Sequence, residues 1–186
     1  NPATGPVYVR GAEPGDALIV DIERIDLAPE GFLAVKAGDG LLGHLAAEFA
    51  TRMVPIKDGV VHFNDLCFPA HPMVGVIGTA PAGDGISTSF AGPHGGNMDN
   101  KYLAAGSRIY LPVATDGALW SLGDVHGAMG DGEITFIGLE ICAEVTVKVA
   151  IEKGTAPNRP LIETPTHWIT PGDHLDLGEA ARIAAT

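Results

Sequence analysis

The sequence predicts an all-β or β-rich fold. Three observations carry that expectation. The 186 residues include 25 glycines and 14 prolines, the residues that punctuate turns. Apolar residues recur with period two along several stretches, the spacing of a half-buried strand. Long stretches of helical period are few. The length suits one domain over residues 1–186, and a hydrophobic share of 46% against a charged share of 18% is enough for a core.

Taken in order, Val7-Tyr8-Val9 reads as a short strand and Glu13-Pro14-Gly15-Asp16 as a tight turn. Residues 17–24 form a second strand, with Leu18, Val20 and Ile22 on one face and Ile19, Asp21 and Glu23 on the other. Two strands around a Pro-Gly turn predict an antiparallel pair. Residues 41–51 are compatible with a short helix that sets His44 and Glu48 four apart. Residues 54–63 read as a hairpin turning at Lys57-Asp58-Gly59. Residues 73–77 are a continuous apolar strand, and Gly75 within it and Gly78 just after it let backbones pass closely. Residues 82–91 read as a loop and residues 107–113 as a strand. The longest alternation, residues 133–151, predicts a half-buried strand or a bent pair. Residues 161–169 add a strand, and residues 177–185 a short amphipathic helix capped by Asp176.

The net charge of −12 argues for a soluble surface and against nucleic acid, which needs a basic face. No apolar run reaches bilayer length, so no membrane partner is expected. The N-terminus has no charged-then-apolar segment of the signal-peptide kind, and Asn1-Pro2 without a Met is expected of a processed or truncated chain. Two cysteines are too few for a disulfide framework and fit a cytoplasmic location. Cys67 and Cys142 have apolar neighbours, so both are expected buried and unreactive.

Most of the groups capable of chemistry fall in two glycine-rich runs, residues 92–99 and 123–133. In the first, Gly95 and Gly96 can turn backbone N–H groups toward a small bound oxygen, with Asn97 beside them. His94 and Asp99 can face the same pocket. The bland alternative is a sharp turn with Asp99 as a cap. In the second run, Asp124 and His126 are two apart, so an extended backbone puts both on one face. Carboxylate oxygen and imidazole nitrogen suit zinc and similar divalent ions. They would serve an acid–base pair equally well. Asp131 and Glu133 follow at a turn, with Asp131 the readier turn former, and Glu140 lies on the strand that starts at this edge. The bland alternatives are a Gly-Asp-Gly turn and a solvent-exposed glutamate. His44 and His62 read as structural or surface residues. The nucleophile elbow GxSxG, the P-loop, the dinucleotide fingerprint and the zinc motif HExxH are all missing from the sequence.

The strings GPHGGNMD, GALWSLGDVHGAMGDGE, HPMVGVIGTAP and the opening GPVYVRGAEPGD resemble the acetamidase/formamidase family, over nearly the whole chain. The resemblance implies a β-sandwich or jelly-roll-like fold with a few short helices. It implies hydrolysis of small aliphatic amides, formamide-like or acetamide-like, to carboxylate and ammonia. It further implies no organic cofactor and a divalent metal ion, with zinc favoured over calcium, whose sites seldom use imidazole. The family pattern maps onto His94, Asp99, Asp124, His126 and Glu133, and the position of Glu140 is acidic in the family too. A mechanism consistent with both the residues and the resemblance has Asp124 and His126, with His94 or Asp99, as the metal ligands. Glu133 or Glu140, with His126, supplies the catalytic groups, and Gly95, Gly96 and Asn97 are expected at the substrate, where the N–H groups of the glycines, or the metal, stabilise the oxyanion. Family members carry a further N-terminal segment, so the chain is expected to be truncated there, and either that segment or a homo-oligomer completes it. The alternatives are a non-catalytic β-sandwich module that binds a small ligand or a structural metal, and an inactive truncated form.

Overall fold

The structure, a computed structural model, describes residues 2–186. In chain order the strands are β1 Ala3–Val7, β2 Ala17–Leu27, β3 Glu30–Val35, β4 Ala50–Lys57, β5 Val60–Phe63, β6 Leu66–Pro69 and β7 Met73–Gly78. They continue with β8 Ala91–Gly92, β9 Gly95–Asn97, β10 Arg108–Pro112, β11 Trp120–His126, β12 Ala143–Glu152, β13 Leu161–Glu163 and β14 Trp168–Ile169. One helix, α1 Leu177–Ala184, closes the described chain. The β-rich expectation holds. Three antiparallel sheets form, of order β1-β11-β7-β9-β8, β12-β2-β10-β13-β14 and β3-β4-β5-β6.

The two five-stranded sheets share one core, as in a sandwich. Leu18, Val20 and Ile22 of β2 and Ile109 and Leu111 of β10 meet Val74 and Ile77 of β7 and Trp120 and Val125 of β11. The alternation in β2 is as the sequence predicts, with Leu18, Val20 and Ile22 at most 1% exposed. Each such side chain contributes about 1.5–3 kcal/mol through removal from water. The four-stranded sheet has a smaller core of Val54, Val61 and Leu139. Glu140 joins this sheet to the first sandwich sheet, because its backbone bridges Phe32 of β3 and His126 of β11. That junction places the functional site.

Local chemistry explains the elements that matched. Asp58 and Gly59 both take positive φ, 50° and 75°, the geometry of a two-residue hairpin loop whose twist suits its strands. Asp176 caps α1 by accepting from Glu179 N at 2.9 Å. No described helix is long and apolar enough to cross a membrane.

Other elements differ from expectation. The first strand is Ala3–Val7, not residues 7–9, and it pairs with β11 instead of β2. The turn at residues 13–16 forms, with Asp16 N donating to Glu13 O, but it carries the chain from one sheet to the other. Residues 41–51 make no α-helix. A 3-10 turn at Gly43–Leu45 leads into β4, which pairs with β3 from Val35↔Ala50 to Glu30↔Pro55. Gly43 disfavours a helix there, and the six-residue ladder wins. The alternation over residues 133–151 breaks in two. Residues 131–133 are a 3-10 turn, residues 134–142 return to bridge β3 and β11, and only Ala143–Glu152 is strand. Residues 161–169 are two short strands of a hairpin, β13 and β14. Both cysteines are exposed, contrary to the expected burial. Cys67 lies on β6, an edge strand exposed throughout, so its apolar neighbours do not bury it.

Candidate metal and catalytic site

The site forms where β11 ends. His126 is 1% exposed, and its Nε2 faces three carboxylates: Glu140 Oε1 at 3.0 Å, Glu133 Oε1 at 3.8 Å and Asp124 Oδ2 at 4.0 Å. Its other ring nitrogen, Nδ1, lies 3.3 Å from Met129 Sδ. Asp99 completes the cluster from the end of β9, whose backbone is held by Met98 N and Asp99 N donating to Gly75 O. Glu140 is fixed by reciprocal backbone hydrogen bonds with Phe32 at 2.8 and 3.0 Å.

The backbone is strained where these acids sit. Asp99, Asp124 and Glu133 have φ of 42°, 55° and 41°, in the left-handed region that non-glycine residues avoid. Such positions cost about 1–3 kcal/mol each and persist only where the surroundings hold them. Two glycines make the close approach possible. A Cβ on Gly75 would stand 2.7 Å from both Asp124 O and Asp99 Oδ1. A Cβ on Gly138 would stand 2.5 Å from His126 Nδ1.

Crowded charge shifts the titrations. Burial, with Glu140 and Asp99 adding repulsion against the attraction of His126, raises Asp124 to about 6. Burial first, then Asp99 and the other acids, raises Glu133 to about 7. Burial also raises Asp99, tempered by His126 and by a hydrogen bond with Glu133. Burial alone would lower His126. The hydrogen bond to Glu140 and the charges of Glu140, Asp124 and Glu133 outweigh it, so His126 is raised.

Two subsets of the cluster meet the geometry of a cation site. The ligand atoms of Asp99, His126 and Glu133, and those of Asp124, His126 and Glu140, lie within 4.8 Å of one another. Asp99 Oδ1 is buried with no hydrogen-bond partner. An orphaned carboxylate oxygen among mutually repelling acids, beside an imidazole nitrogen, is a donor set that could hold a divalent cation. The cluster opens on a cavity of about 830 Å³ lined by Asn97, Asp99, Asp124, Glu133 and Glu140, with Phe32 and other apolar groups around them.

The structure divides the candidate residues. Asp99, Asp124, His126, Glu133 and Glu140 come together, and Asn97 lines the same cavity. His94 does not join them. It belongs to neither ligand set, lies outside the cavity lining, and packs its ring against Gly92 and Gly96. Burial lowers its pKa, and the charge acting on it is that of Asp173. Gly95 and Gly96 sit inside the sheet between β7 and β8 and do not line the cavity. A Cβ on Gly95 would be 2.3 Å from Ile77 O, so glycine there serves strand packing. Asp131 pairs with Lys101 on the surface, as a turn residue would. Sequence reasoning missed Gly138 and Met129. An isolated glycine inside an alternating stretch is a signal of close approach and pointed to Gly138. No comparable signal marked Met129.

The chain that carries this acidic pocket is similar to known proteins. The chain belongs to the Acetamidase/Formamidase family, which matches residues 2–91 and 82–174. A formamidase of Methylophilus methylotrophus is 30% identical over 209 residues, covering 81% of this chain and 51% of that protein. An acetamidase of Mycolicibacterium smegmatis is 30% identical over 218 residues, covering 81% and 53% respectively. A solved structure of a recombinant predicted acetamidase/formamidase from Thermoanaerobacter tengcongensis superposes with a TM-score of 0.96 at 43% identity, over 98% of this chain and 61% of that one. The chain spans about half the length of the curated relatives it matches.

Proposed function

We propose that this chain carries the catalytic centre of an amidohydrolase that cleaves the C–N bond of small aliphatic amides, consuming water and yielding carboxylate and ammonia. One observation carries the reading: four carboxylates converge on the buried His126 at an open cavity, in a member of a family whose relatives bear the names formamidase and acetamidase.

In this reading Asp124, His126, Glu140 and Asp99 hold a divalent cation, with zinc favoured by the imidazole among the oxygens. When bound, that cation supplies Lewis acidity for charge that develops on the amide oxygen and eases deprotonation of water. Glu133 is the group suited to carry the proton. Its side chain is 21% exposed, against 9% for Asp124, and it sits on a turn, free of any strand ladder. It takes a proton from the attacking water and returns it to the leaving amine. Asn97, at the cavity wall, orients the amide. With Gly95 and Gly96 held in the sheet, oxyanion stabilisation does not fall to their N–H groups, and His94 serves the β8–β9 packing. The native protein works in the cytoplasm as a homo-oligomer that covers its strand edges; a concentration-independent monomer by light scattering would contradict that last point.

The test is ammonia release from formamide, acetamide and propionamide by the native protein, with metal content measured on the same sample. Asp124→Ala and His126→Ala should each lose both bound metal and turnover. Unaltered turnover in either variant would overturn the reading.

A further inference from the structure

The hydrogen on a histidine's second ring nitrogen decides which nitrogen is available as a ligand. In His126 that second nitrogen is Nδ1, and its hydrogen-bonding partner is Met129 Sδ at 3.3 Å. A thioether carries no hydrogen and can only accept, weakly. A hydrogen bond between these two atoms therefore requires the proton on Nδ1. Nε2 faces Asp124, Glu133 and Glu140, and at 3.0 Å it donates a proton to Glu140 Oε1, a place that a bound cation would take.

We propose that Met129 is the positioning residue of the metal centre: its sulfur accepts the Nδ1–H of His126 and keeps that proton in place, so that the Nε2 proton is the one a cation displaces. This rests on the reading of the cluster as a cation site. Ligating histidines usually donate their second N–H to a carboxylate or a backbone carbonyl. A carboxylate at this point would add a fifth negative group to Asp99, Asp124, Glu133 and Glu140, where burial and then mutual repulsion already raise the pKa of Asp99, Asp124 and Glu133. Sulfur keeps the Nδ1 proton in place without adding charge.

Local structure is built for the contact. Gly127 N donates to Leu139 O at 2.7 Å and Leu139 N to Ala128 O at 2.9 Å, which zips residues 126–129 against residues 138–140. Gly138 leaves the Nδ1 edge uncrowded, since a Cβ there would stand 2.5 Å from that nitrogen. Met129 also borders a second cavity of about 370 Å³ with Leu33, Phe63 and Phe68, so substitutions of similar volume have room.

The experiment compares wild type, Met129→Leu and Met129→Gln in the native protein. The ¹⁵N-histidine NMR spectrum is recorded with zinc and after chelation, and zinc affinity is measured by competition with a chromophoric chelator. Wild type should show a slowly exchanging Nδ1–H on His126. Met129→Leu, of like volume but with no acceptor, should lose that protection and bind zinc about tenfold more weakly, the lower end of what a lost second-layer partner costs. Met129→Gln, which restores an acceptor, should recover both, with circular dichroism unchanged throughout. A protected Nδ1–H and zinc affinity within twofold of wild type in Met129→Leu would overturn the assignment. If wild type takes up no zinc, the cation reading falls instead, and the Nδ1–H signal of the metal-free protein still decides the role of Met129.

Discussion

Asp16 and the acids around His126 are both taken out of water, and they behave in opposite ways. Asp16 is 4% exposed and satisfied: it accepts from Glu13 N at 2.8 Å, Gly154 N at 3.0 Å and Lys153 Nζ at 2.8 Å. The hydrogen bond from Lys153, with the backbone donors, outweighs burial and lowers its pKa. At the site, Asp99 Oδ1 has no partner, and Asp99, Asp124 and Glu133 are pushed up. Asp16 is a finished structural joint that ties the first turn to the end of β12. The site is electrostatically incomplete, and its ligand atoms are close enough together to hold a cation.

The sharpest way to break this contrast is substitution at the site. Asp124→Ala or His126→Ala should lower ammonia release by about a thousandfold, the order lost with a preorganised electrostatic group, while in Asp124→Ala the denaturation midpoint of the metal-free protein holds or rises because repulsion is relieved. A fall in the midpoint of Asp124→Ala on the scale of a core deletion would mean that this residue is structural. Next in size is Gly75→Ala. Its Cβ would press on Asp124 O and Asp99 Oδ1 at 2.7 Å, so we expect a loss of about 1–3 kcal/mol in stability together with weaker metal binding, read by thermal denaturation and metal titration.

Asp16→Asn should lower the denaturation midpoint without changing the metal affinity. Its stabilisation has an acid limit: because the folded pKa lies below the ordinary carboxylate value, the contribution is complete above that value and is lost as pH falls through the folded one. The acids of the site are the mirror image. In chelated protein, Asp124 near 6 and Glu133 near 7 bind protons that the unfolded chain, with values of 3.8 and 4.5, has released. Their contribution is complete below those unfolded values and fades as pH rises through about 6 and 7. The midpoint of metal-free protein should therefore drift down between pH 4 and pH 7, and bound zinc should remove the drift. A midpoint rising over that range without metal would contradict the site electrostatics.

What the sequence made legible was local. The faces of β2, the hairpin at residues 57–59 and the cap at Asp176 each follow from periodicity or turn chemistry within a few residues; Asp124 and His126 do meet, but through a left-handed Asp124 at φ 55° and not through the extended backbone that the spacing suggests. What it hid was set by partners far along the chain. β1 pairs with β11 because Ala3 and Thr4 meet Gly123 and Leu122, a choice no neighbouring residue announces. His94 lies only five residues from Asp99, yet the positive φ of Gly95 and Gly96 folds residues 91–97 into a tight hairpin, and only Asp99 reaches the cluster. The glutamates follow the same rule. Glu140 enters the site through its bridge to β3, not through strand alternation.

The most direct measurement is anomalous diffraction at the zinc edge from crystals of the native protein grown with zinc. A single strong peak about 2.0–2.2 Å from His126 Nε2 and from carboxylate oxygens of the cluster is the predicted result. A density map with His126 well ordered and no anomalous peak among Asp99, Asp124, Glu133 and Glu140 would contradict it.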